Sequence, residues 1–331
     1  MIAGRAKVIG QERAVEQFLG AWKSGSLHHA WLLAGPRGVG KASFATAAAE
    51  RVLAEAAGPP IAAPGLETPE DHPVGRLVAA GSHPDFRLLE RIENKSGSGL
   101  ARNISVDQVR ELGELFAVTP ALSPWRAVVI DSVDDMEASA ANALLKMLEE
   151  PPANSLFLLV SHVPGRLLPT IRSRCRRLDF RPLGNDAMTS VLERELSELT
   201  DAERARLVPL ANGSVGRALA YASLDLAPLE EQALAILRDG DRDNDKRSRL
   251  SRALGPRAAA ERYAAFLEMA PALIAREARR LDGSARRRAL DAYARARETS
   301  RLAPRLSLDA AATVFQLGTI LASVAPQGPP R

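Results

Sequence analysis

The stretch AWLLAGPRGVGKAS, residues 30–43, runs five apolar residues into a glycine-rich turn that ends in lysine. That order calls for a buried strand, a tight loop and a helix opening near Lys41. The glycines let successive backbone N–H groups face one point, and the helix N-terminus adds its partial positive charge there. Nucleotide phosphates suit such a loop, with Gly35, Gly38, Val39, Gly40 and Lys41 holding them. One residue departs from the usual signature. The Ser or Thr after the lysine, a magnesium ligand in working NTPases, is replaced by Ala42, and Ser43 lies one position further round the helix. The loop thus predicts binding of ATP or ADP, with magnesium only alongside nucleotide, and weak or no hydrolysis.

The strand-loop-helix order recurs. Besides AWLLA, the buried-strand candidates are DFRLL (85–89), RAVVID (126–131) and SLFLLVS (155–161), separated by helical patterns. This is the βαβ rhythm of an α/β fold with a parallel sheet. RAVVID ends in Asp131, where a Walker B aspartate holds magnesium, but the next residue is Ser132 in place of the water-orienting glutamate. Asp134 and Asp135 are expected to cap the following helix. Residues 57–75, rich in Pro, Gly and Ala, read as a loop or remodelled insertion, and NKSGSG (94–99) as a second flexible stretch. Beyond residue 181 strand signals stop, which predicts domains over 1–180, 181–222 and 223–331.

At 331 residues and 46% hydrophobic, the chain can bury large cores. Its one cysteine, Cys175, excludes an intramolecular disulfide. The first residues lack the apolar core of a secretory signal, and no run approaches the roughly 20 apolar residues of a membrane span. A cytoplasmic protein is expected. The basic residues are 38 Arg and 6 Lys, so compositional bias explains much of the basic balance.

SAANALLKMLEEPP (139–152) followed by LPTIRSRC (168–175), with VIGQE (8–12) and LHHAWLLAGPRGVGKAS (27–43), resembles the AAA+ clamp-loader subunits of replicative DNA polymerases, and among them the bacterial delta-prime type. The resemblance runs from about residue 8 to 220. It implies an AAA+ P-loop module, a small helical lid and an α-helical C-terminal collar. It also implies a hetero-oligomer with the gamma/tau ATPase and delta subunits, acting on the sliding clamp and primed DNA. In Ser173-Arg174-Cys175 it makes Arg174 a catalytic group donated in trans to a neighbour's γ-phosphate, where a guanidinium stabilises transition-state charge. Arg172, Arg176 and Arg177 read as a basic strand edge, Cys175 as a packed thiol. Ser161 matches the polar sensor position. The second sensor arginine would fall on Gly216, with Arg217 shifted by one.

Many relatives carry four cysteines as a zinc module after the loop helix. Residues 51–84 hold none, with only His72 and His83, so neither zinc nor any other structural metal is expected. The adjacent His28 and His29 read as residues at the start of a strand. Residues 246–305 hold 16 Lys and Arg against 6 Asp and Glu. Such a segment could follow a DNA backbone, whereas the resemblance makes it part of the collar. Three functions compete: a non-motor clamp-loader subunit with a degenerate ATPase site, an active gamma/tau-like ATPase, and a metabolic P-loop kinase. The first alone accounts for Ala42, Ser132 and the SRC motif together.

Overall fold

Residues 8–93 and 101–326 are described by a computed structural model; the NKSGSG stretch lies outside them. The elements of the first part are α1 (Glu12–Lys23), β1 (Ala30–Ala34), α2 (Lys41–Ala57), α3 (Pro73–Ala79), β2 (Phe86–Glu90), α4 (Val106–Ala117), β3 (Arg126–Asp131), α5 (Ala138–Glu149), β4 (Ser155–Ser161), α6 (Pro169–Ser173), β5 (Arg176–Asp179), α7 (Asn185–Glu195), α8 (Asp201–Ala211) and α9 (Val215–Ser223). Then follow α10 (Ala227–Asp239), α11 (Asp245–Leu254), α12 (Ala260–Ala278), α13 (Gly283–Arg305) and α14 (Ala310–Ala322). The chain divides into two units, Met1–Ala218 and Leu219–Arg331.

In the first unit the five strands form one parallel sheet in the order β2-β3-β4-β1-β5. Parallel strands covered on both faces must be apolar throughout, and every residue of β1 and β4 is buried. The three apolar runs at 30–34, 126–131 and 155–161 form strands over those residues. The DFRLL run enters the sheet one residue late, at Phe86, because Asp85 serves the adjoining loop. Its carboxylate accepts the N–H groups of Ala121, Leu122 and Ser123 at 2.7, 2.7 and 3.0 Å. The fifth strand, β5, has a single buried side chain, Leu178, and pairs with β1 at the sheet edge.

Helix α2 crosses the sheet through Phe44, Ala45, Ala48, Ala49, Val52 and Leu53, all buried. An aromatic row of Trp31, Phe18, Phe44 and Phe180 joins it to β1 and α1, with ring centroids 5.1–5.9 Å apart. Fully burying each such ring contributes about 1.5–3 kcal/mol. On the other side Leu144, Leu148 and Ile171 share a core with Val128, Ile130 and Leu159. The phosphate-loop strand, the Walker B strand and the sensor strand are thereby held side by side.

The second unit is helical. Its apolar α14 packs against α10, α11, α12 and α13. A buried ion pair between Arg247 and Asp241, 3.0 Å, closes the turn before α11, and Arg247 reaches the Thr319 hydroxyl at 2.9 Å. Among the described residues no helix is long and apolar enough to cross a membrane.

Candidate functional site at the strand ends

The glycine-rich loop leaves β1 and opens α2 as expected. Gly40 caps the helix in the left-handed region, φ +93°, and Gly38 also has positive φ, +72°. Only glycine adopts such angles without strain. A Cβ on Gly38 would lie 2.3 Å from the Ser214 hydroxyl oxygen and 3.0 Å from the Gly216 nitrogen. The turn before α9 therefore rests directly on the loop: the Ser214 hydroxyl donates to the Arg37 carbonyl, 3.0 Å, and the Gly216 N–H to the Gly38 carbonyl, 3.1 Å. A side chain at position 216 would press on the Gly38 Cα at 3.1 Å.

The N–H groups of Gly38, Val39, Gly40 and Lys41 donate to no other group among the described residues. The loop thus keeps a row of donors suited to a phosphate. The Lys41 ammonium is buried and donates to the Gly35 carbonyl, 2.7 Å, and to that of Pro36. Burial lowers its pKa to about 8, and Arg37 pushes the same way, against the pull of Asp131 and Asp134. Those two carboxylates are near enough to be felt, so the loop lysine and the Walker B aspartate do come together. Burial raises the Asp131 pKa, Lys41 opposes this, and Glu90 and Asp135 add to it.

The magnesium side fits less well. Ala42 carries no oxygen. Ser132 is buried, and its hydroxyl has no hydrogen-bond partner among the described residues. Ala42, Ser43 and Asp131 line one cleft of about 880 Å³, whose walls also carry Glu12, Glu50 and Glu90. The loop N–H groups suit a phosphate, whereas the carboxylates of this cleft would repel one, and the position after the loop lysine offers a metal no oxygen.

The two carboxylates after Asp131 are placed differently from the sequence expectation. They lie in a short turn, Val133–Asp135, and the N-cap of α5 is Glu137. Asp134 accepts from the Ser161 hydroxyl at 2.9 Å and from the N–H of His162, which ties the sensor residue to the end of β3. Asp135 pairs with Arg91 at 3.4 Å and Arg37 at 4.0 Å. His162 is held neutral: burial, then Lys41 and Arg37, lower its pKa to about 4. The tie from Asp134 to Ser161 could not be read from sequence, since a carboxylate just after a strand has the same pattern as a helix cap.

Arg174 is the C-cap residue just after α6 and makes no hydrogen bond to the glycine-rich loop among the described residues. Its guanidinium lies 2.8 Å from the Glu149 carboxylate and donates to the Thr170 carbonyl at 3.0 Å. The side chain is 35% exposed. Arg177 pairs with Asp179 at 2.6 Å, an exposed contact, and Arg176 lies over the Trp31 ring at 4.9 Å. Cys175 packs on the core, where burial pushes its pKa up to about 12.

Between α2 and α3 a buried arginine organises the chain. Arg51 donates to the carbonyls of Ile61, Ala63 and Glu67 at 2.5, 3.1 and 2.6 Å, and pairs with Glu55 at 2.8 Å. Glu55 in turn accepts from the Trp22 indole at 2.5 Å and the Ile61 N–H at 3.2 Å. A polar staple therefore shapes residues 61–67, a role the sequence reading did not foresee for any residue.

A family model described as DNA polymerase III, delta subunit, matches residues 10–184. The chain is 38% identical over 186 residues to the DNA polymerase III subunit delta' of Pseudomonas aeruginosa, covering 56% of this chain and 53% of that protein. To the subunit delta' of Escherichia coli it is 34% identical over 211 residues, 62% and 58% of the two chains. To the subunit tau of Bacillus subtilis it is 29% identical over 232 residues, 70% and 38%. The chain thus spans about half the length of the delta' proteins it matches, and less of tau. A solved gamma subunit-related protein from Thermotoga maritima superposes with a TM-score of 0.44 at 18% identity, over 92% of this chain and 98% of that one. Motifs, sheet and family model coincide over one region, and the chain belongs to the DNA polymerase III delta-prime/clamp-loader family.

Proposed function

We propose that the chain is a non-motor subunit of a bacterial clamp loader, of the delta-prime kind. It would assemble in the cytoplasm with gamma/tau-type ATPase subunits and a delta subunit, and help place the sliding clamp on primed DNA. One observation carries the reading. Lys41 and Asp131 stand together at the strand ends while the two positions that complete hydrolysis hold Ala42 and Ser132, and a half-exposed Arg174 stands outside that cluster. In this reading residues 181–222 are the lid and 223–331 the collar. The Gly38–Lys41 N–H row holds ATP or ADP weakly, magnesium accompanies nucleotide only, and no zinc is used. Arg174 lends its charge to phosphoryl transfer on the neighbour.

The purified chain is expected to turn over ATP negligibly alone and to co-purify with the ATPase subunit. Turnover comparable to an intact AAA+ ATPase, abolished by Lys41→Ala, would instead support the active-ATPase reading. A second expectation concerns pH. Lys41 titrates at about 8 in the free chain, and an anion on the loop would favour its charged form. Affinity for ATP should be flat below pH 8 and fall as pH rises, by roughly tenfold between pH 7.5 and 9. Calorimetry across that range checks it, and pH-independent binding would remove Lys41 from the phosphate contact.

A further inference from the structure

We infer that Glu149 is a positioning residue for Arg174, an inference that rests on the donated-finger reading above. The carboxylate holds the guanidinium at 2.8 Å while the Thr170 carbonyl accepts a second N–H at 3.0 Å. A guanidinium has five N–H donors. One donates to the Thr170 carbonyl and another faces the Glu149 carboxylate in an ion pair, which leaves donors for an anion brought by a neighbour. The two anchors fix the plane of a side chain that would otherwise sample many rotamers, so less ordering remains when the neighbour's phosphate arrives.

The placement of Glu149 is locally unfavourable, which argues that it is kept for Arg174. It is the last residue of α5, where the helix presents its partial negative charge and a carboxylate is the wrong sign. A broken local rule with a compensating partner is the mark expected of a functional position. Pro151 and Pro152 follow the C-cap residue Glu150 and prevent the helix from continuing. Leu148, next to Glu149, and Ile171, three residues before Arg174, are buried in the same core. Both ends of the ion pair therefore stand on rigid supports, although the pair itself is partly open, at 35% and 47% exposure.

The test is ATP turnover by the reconstituted clamp-loader assembly, stimulated by clamp and primed DNA, with Glu149→Ala, Glu149→Gln, Arg174→Ala and the double variant. Glu149→Ala should lower kcat about two- to fivefold at unchanged KM, the scale of one partly exposed ion pair. Glu149→Gln should lose less, because its amide oxygen keeps a partial negative charge beside the guanidinium. In the Arg174→Ala background, Glu149→Ala should change nothing. An equal loss with and without Arg174, a rise in kcat, or a loss that tracks reduced incorporation of the chain overturns the role of Glu149 and leaves the finger standing. Unchanged turnover in Arg174→Ala itself overturns the finger, and the positioning role with it.

Discussion

Replacing Arg174 by alanine is expected to leave the chain folded and incorporated in its assembly, yet to lower clamp- and DNA-stimulated ATP turnover sharply. The fold should survive because the side chain makes one partly exposed ion pair and one carbonyl contact, and such pairs contribute at most about 1 kcal/mol. Turnover should not survive at the served site. Loss of an arginine finger costs roughly 10³-fold or more in rate, diluted in the whole assembly by the remaining ATP sites. Arg174→Lys should recover little, since a point ammonium cannot reproduce the planar fork. Arg177→Ala is the control: its guanidinium is engaged with Asp179 on the surface, and its loss should be small. Equal effects from Arg174→Ala and Arg177→Ala would show that the SRC segment acts as a basic edge and nothing more.

The second large effect is on stability. Arg51→Ala removes a guanidinium with 2% side-chain exposure and leaves the carbonyls of Ile61, Ala63 and Glu67, and the Glu55 carboxylate, without it. Deleting one member of a buried pair costs about 3–5 kcal/mol. For a unit of this size that is a fall in Tm on the order of 10 °C, with proteolysis expected first within 57–75. Burial raises the Glu55 pKa, but the Trp22 indole, Arg51 and the Ile61 N–H outweigh this and hold it below the usual 4.5. A depressed carboxylate stabilises above its unfolded value and loses that contribution as pH falls through the folded one. The staple should thus be intact at neutral pH and weaken below about pH 4.5. Metal analysis should find no stoichiometric zinc, and chelators should leave Tm unchanged. Zinc loss accompanied by unfolding would mean that a metal, and not Arg51, organises this segment.

Much of the α/β unit was legible because its strands are buried from end to end. AWLLA, RAVVID and SLFLLVS need no partner information to be recognised, since apolar runs bounded by turn residues have few other uses. The β5 strand showed in the sequence only as a basic edge and not as a buried strand, because it rests on one apolar residue, Leu178, between Arg177 and Asp179. Asp85 was read as strand for the opposite reason: its neighbours are apolar, and only the path of residues 121–123 shows that its carboxylate belongs to them. The placement of Lys41 at the opening of α2 and of Asp131 and Ser161 at the ends of β3 and β4 was readable from local motifs. The contacts that govern them were not. Asp134 meets Ser161 and Ser214 meets Arg37 across long stretches of chain, and one sequence holds no trace of which distant side chain will arrive. Glu149 shows the same limit, for nothing in LEEPP says that its first carboxylate faces the arginine of RSRC.

The seat of the Ser214 turn on Gly38 changes what a glycine-rich signature means in such a chain. With φ at +72° and a hydroxyl 2.3 Å from where a Cβ would stand, Gly38 is demanded by the architecture of the unit alone. A protein of this build that never met a nucleotide could not exchange that residue without lifting the α9 turn off the loop. The signature can therefore outlast the activity it is usually taken to announce, preserved as a joint between two parts of one polypeptide. The presence of glycine at 38 is then a record of folding constraint, and it carries no information about catalysis.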